Sequence, residues 1–303
     1  MKIISISSKN RYMVIEFSLT NICNYKCSYC YQLKDKKNSL DIEDCLNFFK
    51  KIRKIYPDEN IKILLMGGET LYYKDIDILL DTLYNMNIKV DITTNGSKPK
   101  EWWKKYAPKI ENICVSYHPT EVSEEAFIQQ CKNIVKYSKR HLSIMLMLPY
   151  ETFFENIKFA ERLSEEVPNL IILGKLLHNR THYTEKCLLF YKSNNRWKSK
   201  KFKSNKSIFD DNFLEVRYGS EKNIITTKDL IKNNQNNFKG YKCFLGIYRF
   251  FVNFDGNVYG ASCGEGHLGS IKKFTISKKA ILCPRDVCNC PEDIKIRKEI
   301  DEP

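Results

Sequence analysis

No apolar run in the 303 residues approaches the roughly 20 that a bilayer-spanning helix needs. The opening, Met1-Lys2-Ile3-Ile4-Ser5-Ile6-Ser7-Ser8-Lys9-Asn10-Arg11, lacks the apolar core of a secretory signal. There is no internal repeat at solenoid periods and no low-complexity linker. Disorder is excluded as well, because 43% of the residues are apolar and 13% aromatic. These absences predict a cytoplasmic protein with no membrane partner. The length suits one large α/β domain with a small appendage, enough to bury a core.

Acidic charge is also in deficit, with 36 Asp+Glu against 50 Lys+Arg, a formal net charge of +14. Lys, Asn and Ile are all abundant, a pattern that biased base composition produces without selection for a partner. The densest basic stretch, Lys192–Lys206, holds seven Lys/Arg and no acid. As a phosphate contact it would need aromatic residues interleaved for base stacking, and only Trp197 and Phe202 offer that. A solvated loop is the simpler reading, and nucleic acid is not an expected partner.

What is present in excess is cysteine, 12 in all. A reducing compartment keeps thiols from pairing, so clustered cysteines there point to metal or catalysis. Cys45, Cys114, Cys131 and Cys187 stand alone and read first as small buried hydrophobes. The other eight fall into two clusters near opposite ends of the chain.

From Met13 to Leu176, β-branched runs alternate with amphipathic stretches. Strands are predicted at Met13–Leu19, Ile61–Met66, Ile88–Thr94, Ile113–Tyr117, Leu142–Leu148 and Leu170–Leu176, with helices at Asp41–Ile55, Lys74–Asn85, Lys100–Tyr106, Ser123–Lys139 and Thr152–Glu166. Such alternation indicates βαβ units and a parallel sheet. Six units would make a partial (β/α)6 barrel if the sheet curls, and an open doubly wound sheet would read the same. The polar stretch through residue 206 reads as a helix plus a loop. Short strands follow at Leu214–Tyr218, Asn223–Thr226, Tyr248–Phe254 and Val258–Tyr259, the last two flanking the turn signal Asp255-Gly256-Asn257. The expected division is 1–206, the barrel domain, and 207–303, a small cysteine-rich α+β domain that a metal would hold in shape.

The first cluster, Cys23-Asn24-Tyr25-Lys26-Cys27-Ser28-Tyr29-Cys30, follows the first strand. Three thiolates on a tight loop can cap three corners of a cubane and leave one iron open to a ligand; a structural zinc would instead want a fourth Cys or His close by. The spacing, with an aromatic before the third cysteine, resembles the radical S-adenosylmethionine (SAM) superfamily. Other motifs fall in the superfamily's order: Gly67-Gly68-Glu69 after the second strand, Thr93-Thr94-Asn95-Gly96 after the third and Ser116 ending the fourth. All lie at C-terminal strand ends, where α/β barrels build their sites.

The resemblance implies a [4Fe–4S] cluster on Cys23, Cys27 and Cys30, with SAM on its open iron. It implies that Gly67 and Gly68 let the backbone approach the methionine part, that Glu69 accepts from the SAM ammonium, that Tyr29 lies against the adenine, and that Thr94, Asn95 and Ser116 line the rest of the SAM site. It also implies a flavodoxin- or ferredoxin-type electron donor. His118, Lys175 and His178 stand at strand ends and read first as structural, while Cys187, after the sixth strand, is a candidate reducing thiol.

Cys243 and Cys263 flank the second hairpin, with 19 residues between them, and Cys283-Pro284-Arg285-Asp286-Val287-Cys288-Asn289-Cys290 follows. This resembles the auxiliary-cluster domains of the superfamily, SPASM with two clusters and twitch with one, although Gly256 and Gly260 straddle the usual glycine offset. Five cysteines, Cys243, Cys263, Cys283, Cys288 and Cys290, suffice for one second [4Fe–4S] cluster and not for two. A zinc ribbon is the competing reading. The implied activity is hydrogen-atom abstraction from a substrate C–H bond, in peptide or protein modification first, since auxiliary clusters accompany peptide maturation. Close behind come a sugar, nucleotide-sugar or other anionic small molecule, which the positive charge favours, and then RNA modification. The few residues before the first strand leave no room for an N-terminal peptide-recognition domain.

Overall fold

A computed structural model describes residues 3–8, 12–30, 37–177, 180–202, 213–276 and 279–300. Among them, no helix is long and apolar enough to cross a membrane. The chain divides into two compact units that alternate along the sequence. One comprises Ser18–Ile42 and Leu64–Asn205, the other Met1–Phe17, Glu43–Ile63 and Lys206–Pro303. Strands β2 (Met13–Thr20) and β3 (Ile61–Gly67) each pass from the second of these units into the first.

The first unit takes the C-terminal ends of β2 and β3, then α2 (Ile76–Asn85), β4 (Lys89–Thr94), α3 (Lys100–Tyr106), β5 (Asn112–Tyr117), α4 (Glu124–Tyr137), β6 (Leu142–Leu148), α5 (Phe153–Glu166), β7 (Leu170–Leu176), α6 (Glu185–Ser193) and β8 (Arg196–Lys198). The strands lie in the order β2-β3-β4-β5-β6-β7-β8. β4, β5, β6 and β7 are parallel, and β8 closes on β7 antiparallel. A doubly wound sheet would reverse its order partway. Strands laid down in chain order wind one way only, the arrangement of the expected partial barrel. β6 is buried along nearly its whole length, as parallel strands covered on both faces are. Tyr117 of β5 packs 4.8 Å from Phe127 of α4 and 4.4 Å from Phe159 of α5, ring centre to ring centre. Ser123 caps α4 by accepting from the Ala126 amide.

The second unit contains β1 (Ser5–Ser8), the start of β2, α1 (Ile42–Ile55) and the start of β3, followed by β9 (Phe213–Tyr218), β10 (Glu221–Thr226), α7 (Thr227–Lys232), β11 (Lys242–Cys243), β12 (Arg249–Val252), β13 (Asn257–Tyr259), β14 (His267–Ser270), β15 (Ile281–Leu282), α8 (Pro291–Ile294) and β16 (Lys298–Glu299). Its small sheet runs β10-β9-β1-β16-β11-β15, with antiparallel pairing throughout. β12 pairs in parallel with the start of β2 and forms a hairpin with β13. Gly256 sits in that turn at φ 81°, where other residues are strained. Phe17, Phe48 and Phe49 pack together under Phe274.

One division between the units falls between Asn205 and Lys206. Residues 1–17 and 43–63 belong with the C-terminal segment because β1 pairs with β9 and β16, and β2 with β12.

Candidate functional site

The cysteine loop begins where β2 ends. The backbone of Thr20, Asn21 and Ile22 is received by the two glycines after β3: the Gly68 amide donates to Thr20 O at 2.7 Å and the Glu69 amide to Ile22 O at 2.8 Å. A Cβ on Gly68 would stand 2.4 Å from Ile22 O, and one on Gly67 2.2 Å from Thr20 O. The pair thus admits the root of the cysteine loop against the end of β3. Gly68 has ordinary backbone angles, so Gly68→Ala tests the steric effect alone. We expect about 1–3 kcal/mol of destabilisation and reduced iron uptake, measured by thermal denaturation and metal analysis. Unchanged stability and iron content would show that the loop root yields freely.

Glu69 is buried and its carboxylate accepts three hydrogen bonds. Oε1 accepts from the Leu71 amide at 2.8 Å and from the Thr94 hydroxyl at 2.5 Å, and Oε2 accepts from the Asn95 amide at 2.5 Å. Burial pushes its pKa up, against these hydrogen bonds. Asn95 Nδ2 in turn donates to Asn24 Oδ1 at 2.8 Å, and Asn24 reaches Ser97 at 3.2 Å. The cysteine loop, the Gly-Gly-Glu turn and the Thr-Asn-Gly turn are therefore one hydrogen-bonded assembly. Within it Glu69 joins two strand ends.

Cys27 is buried, while Cys23 and Cys30 are exposed. The Tyr25 amide donates to Cys23 Sγ at 3.3 Å, a contact that favours a thiolate. Burial pushes Cys23 up to about 11, and Glu69, Cys27 and Cys30 add to the rise. Burial raises Cys27 as well, and a cation bound to the two sulfurs would offset both rises. His118 also arrives here: its Nδ1 lies 3.0 Å from the Tyr29 hydroxyl and 3.4 Å from Cys27 Sγ. Its ring stacks on Tyr29 at 13° and meets Tyr25 edge-on. Burial pulls His118 down to about 4. Ser116 is buried at the end of β5.

In the second unit one cavity of about 220 Å³ is lined by Cys243, Cys263, Cys283, Cys288 and Cys290, together with Asp293 and Lys298. All five C-terminal cysteines thus face one space. Among the described residues, no three His, Cys, Asp or Glu side chains close on a single metal ion.

Of the remaining candidates, Lys175 acts electrostatically on His118. Cys187 is buried in the first turn of α6, where the Thr184 hydroxyl accepts from its amide at 3.3 Å and donates to its sulfur at 3.1 Å. Cys45 and Cys131 are fully buried in α1 and α4. Lys175 is exposed, and His178 lies outside the described residues, as does part of Lys192–Lys206. The Tyr29–His118 contact was only half legible: the strand-end position of His118 was readable, its meeting with a tyrosine 89 residues away was not.

Residues 17–163 match the family model described as the Radical SAM superfamily. Curated relatives include two proteins named GTP 3',8-cyclase. That of Nautilia profundicola is 35% identical over 99 residues, 30% of either chain. That of Campylobacter lari is 27% identical over 180 residues, 56% of this chain and 54% of the relative. The chain thus spans between 30% and 54% of the length of these relatives. Among solved structures, native anSMEcpe with bound AdoMet and Kp18Cys peptide aligns at TM-score 0.54 and 14% identity, over 88% of this chain and 79% of that one. Streptococcus suis SuiB bound to S-adenosylmethionine aligns at TM-score 0.51 and 16% identity, over 87% and 64%. At these identities the likeness is one of fold.

Proposed function

We propose that this chain, whose residues 17–163 match the radical SAM superfamily model, cleaves SAM reductively to start hydrogen-atom abstraction from an anionic small molecule of the nucleotide kind. The observation that carries the first half is the interlock of the cysteine loop with Glu69 and Asn95 at neighbouring strand ends. Cys23, Cys27 and Cys30 would hold a [4Fe–4S] cluster with one iron left for SAM. When bound, the cluster supplies the electron that splits SAM into methionine and a 5′-deoxyadenosyl radical, which removes the hydrogen atom. The chain's own groups prepare that chemistry. The Tyr25 amide stabilises negative charge on Cys23, Glu69 fixes the two turns, and the buried Thr94 and Ser116 offer hydroxyls at strand ends where SAM would lie. A flavodoxin- or ferredoxin-type protein would deliver the electron. The five-cysteine cavity supports a second, auxiliary [4Fe–4S] cluster in the other unit.

For the substrate, the relatives named GTP 3',8-cyclase and the net charge of +14 favour an anionic nucleotide. The structures with bound peptides share the fold alone, so the small-molecule reading moves ahead of the peptide reading. In the loaded enzyme with SAM and dithionite, 5′-deoxyadenosine should form, and the cognate nucleotide should raise its rate at least about tenfold, since substrate binding completes the site. A panel of nucleoside triphosphates, nucleotide-sugars and peptides decides the matter. Stimulation by peptides alone overturns the substrate half, and absence of 5′-deoxyadenosine from iron-loaded protein overturns the whole.

A further inference from the structure

The strand register of the first unit fixes which face of the sheet each side chain takes. Tyr117 of β5 packs on Phe127 of α4 and Phe159 of α5, so its face is the one the helices cover. Leu146 of β6 is paired with Tyr117, and Gly174 of β7 with Leu146, so they share that face. Trp197 of β8 shares it too: it is paired with Ile172, and its ring lies 3.6 Å from where a Cβ on Gly174 would stand. Neighbouring positions along a strand alternate in face. The opposite, inner face therefore takes Ser116, Met145, Leu173 and Arg196, which form one row across four strands. Met147 and Lys175 lie in the next row toward the C-terminal strand ends.

Exposure agrees with this placement. Toward the N-terminal ends, Ser143 and Ile171 close the inner face, both of them buried. Farther along, Met145 and Leu173 are half-buried and Lys175 is exposed, so the face opens where the SAM motifs stand. The Lys175 ammonium opposes the rise of the Cys114 thiol on β5 and adds to the fall of His118 just beyond it. Its charge thus reaches across two strands, over the inner face.

Strand β8 makes this edge basic. Arg196 and Lys198 occupy alternate positions on it and both take the inner face. Lys198 lies beside Ile171 at the closed end, its Nζ 5.5 Å from the centre of the Phe202 ring. Arg196 lies beside Leu173 in the open part. It belongs to Lys192–Lys206, the basic stretch that reads in sequence as a loop, and the fold carries this part of it into the sheet. Lys175 and Arg196 are diagonal neighbours across the antiparallel β7–β8 pair, about 7–8 Å apart, so one chain of phosphates can meet both. Arg196 ends the row that Ser116 begins, three strand spacings or about 14 Å away along the sheet. A substrate with its sugar beside SAM at Ser116 would extend its phosphates toward β8. A guanidinium fork receives phosphate oxygens in pairs, and an ammonium attracts them as a point charge.

We propose that Lys175 and Arg196 bind the phosphates of the substrate. This assignment rests on the anionic-nucleotide reading above.

Equilibrium dialysis of the iron-loaded protein with SAM, against guanosine, uridine and their 5′-mono-, di- and triphosphates, tests both levels separately. Wild-type protein should bind the triphosphate of one series at least about tenfold more tightly than its nucleoside, since one charge-assisted hydrogen bond is worth about 10–100-fold. Lys175→Met and Arg196→Met should each lower triphosphate affinity about tenfold and leave nucleoside affinity unchanged. Lys175→Arg keeps a cation at the position and should keep the triphosphate preference. Lys132→Met removes a charge from α4, where Lys132 pairs with Glu166 at 3.0 Å, and should also keep it. Equal loss in Lys132→Met gives the effect to net charge and overturns the assignment. Equal loss of nucleoside and triphosphate binding in the Lys175 and Arg196 variants marks a structural role and overturns it as well. Loss of SAM binding in place of nucleotide binding gives the pair to the SAM carboxylate, with the same consequence. Wild-type binding that ignores phosphate number overturns the assignment alone, whereas failure of every nucleotide to bind wild-type protein overturns the nucleotide reading and the assignment with it.

Discussion

Cys27→Ala is expected to bring 5′-deoxyadenosine formation to background and to remove the iron of the first cluster. Loss of a group that only orients a metal ligand costs about 10–100-fold, so loss of a ligand should exceed a hundredfold. Cys27 is the most enclosed thiol of its loop, and the two nearest polar groups to it are His118 and the tyrosine two residues on. One ring nitrogen of His118 faces both the Cys27 sulfur and the Tyr29 hydroxyl. A thiolate can only accept a hydrogen bond, and both His118 Nδ1 and the Tyr29 hydroxyl stand where a donor to it could be. Alanine removes the sulfur and leaves this nitrogen with the Tyr29 hydroxyl alone. The control is a second buried thiol. Cys131→Ala empties a fully buried position in α4 and should cost stability while leaving SAM cleavage per folded molecule near the wild-type value. Anaerobic turnover with SAM and dithionite, read by chromatography, separates the two. Cleavage by Cys27→Ala at more than a tenth of the wild-type rate would remove the loop from the cluster.

Much of this site was readable in advance because its parts are local. A cysteine triad with x3 and x2 spacing announces a metal whatever surrounds it, and strands with strong β-branched patterning fixed where each motif would end. The order of the strands could not be read, since alternating segments are identical for a barrel and a doubly wound sheet; pairing alone distinguishes them. Long-range partnerships were equally hidden. Glu69 accepts from Thr94 and Asn95, some 25 residues on, a partnership that nothing local announces. Ser5–Ser8 is too short and too polar to announce a strand, yet it lies between β9 and β16. One overlooked signal was available: Thr226-Thr227-Lys228-Asp229 is a capping box, and it starts α7. A second was Glu16, an acid inside the apolar run of β2, which required a buried partner that only the fold could name.

That partner supplies the second large effect: Arg249→Met should destabilise the unit containing the five-cysteine cavity by about 3–5 kcal/mol, the usual result of stranding buried charges. Arg249 on β12 is buried with Glu16 at 2.6 Å and Asp293 at 3.2 Å, both carboxylates equally enclosed. Without the guanidinium, Ser262 and the Ser262 and Cys263 amides remain as donors to those two carboxylates among the described residues. Burial opposes the charge on Arg249, and Glu16, Glu292 and Asp293 outweigh it, so its pKa stays raised. Arg249→Lys keeps the charge but not the fork that reaches three carboxylates, and should fall between wild type and methionine. Because Asp293 also holds the Cys263 amide, the methionine variant should lose iron from the second cluster before it unfolds. Urea denaturation and iron analysis across the three proteins measure both effects. A loss below about 1 kcal/mol would mean that water reaches the two carboxylates and that the network is a surface ion pair in energetic terms.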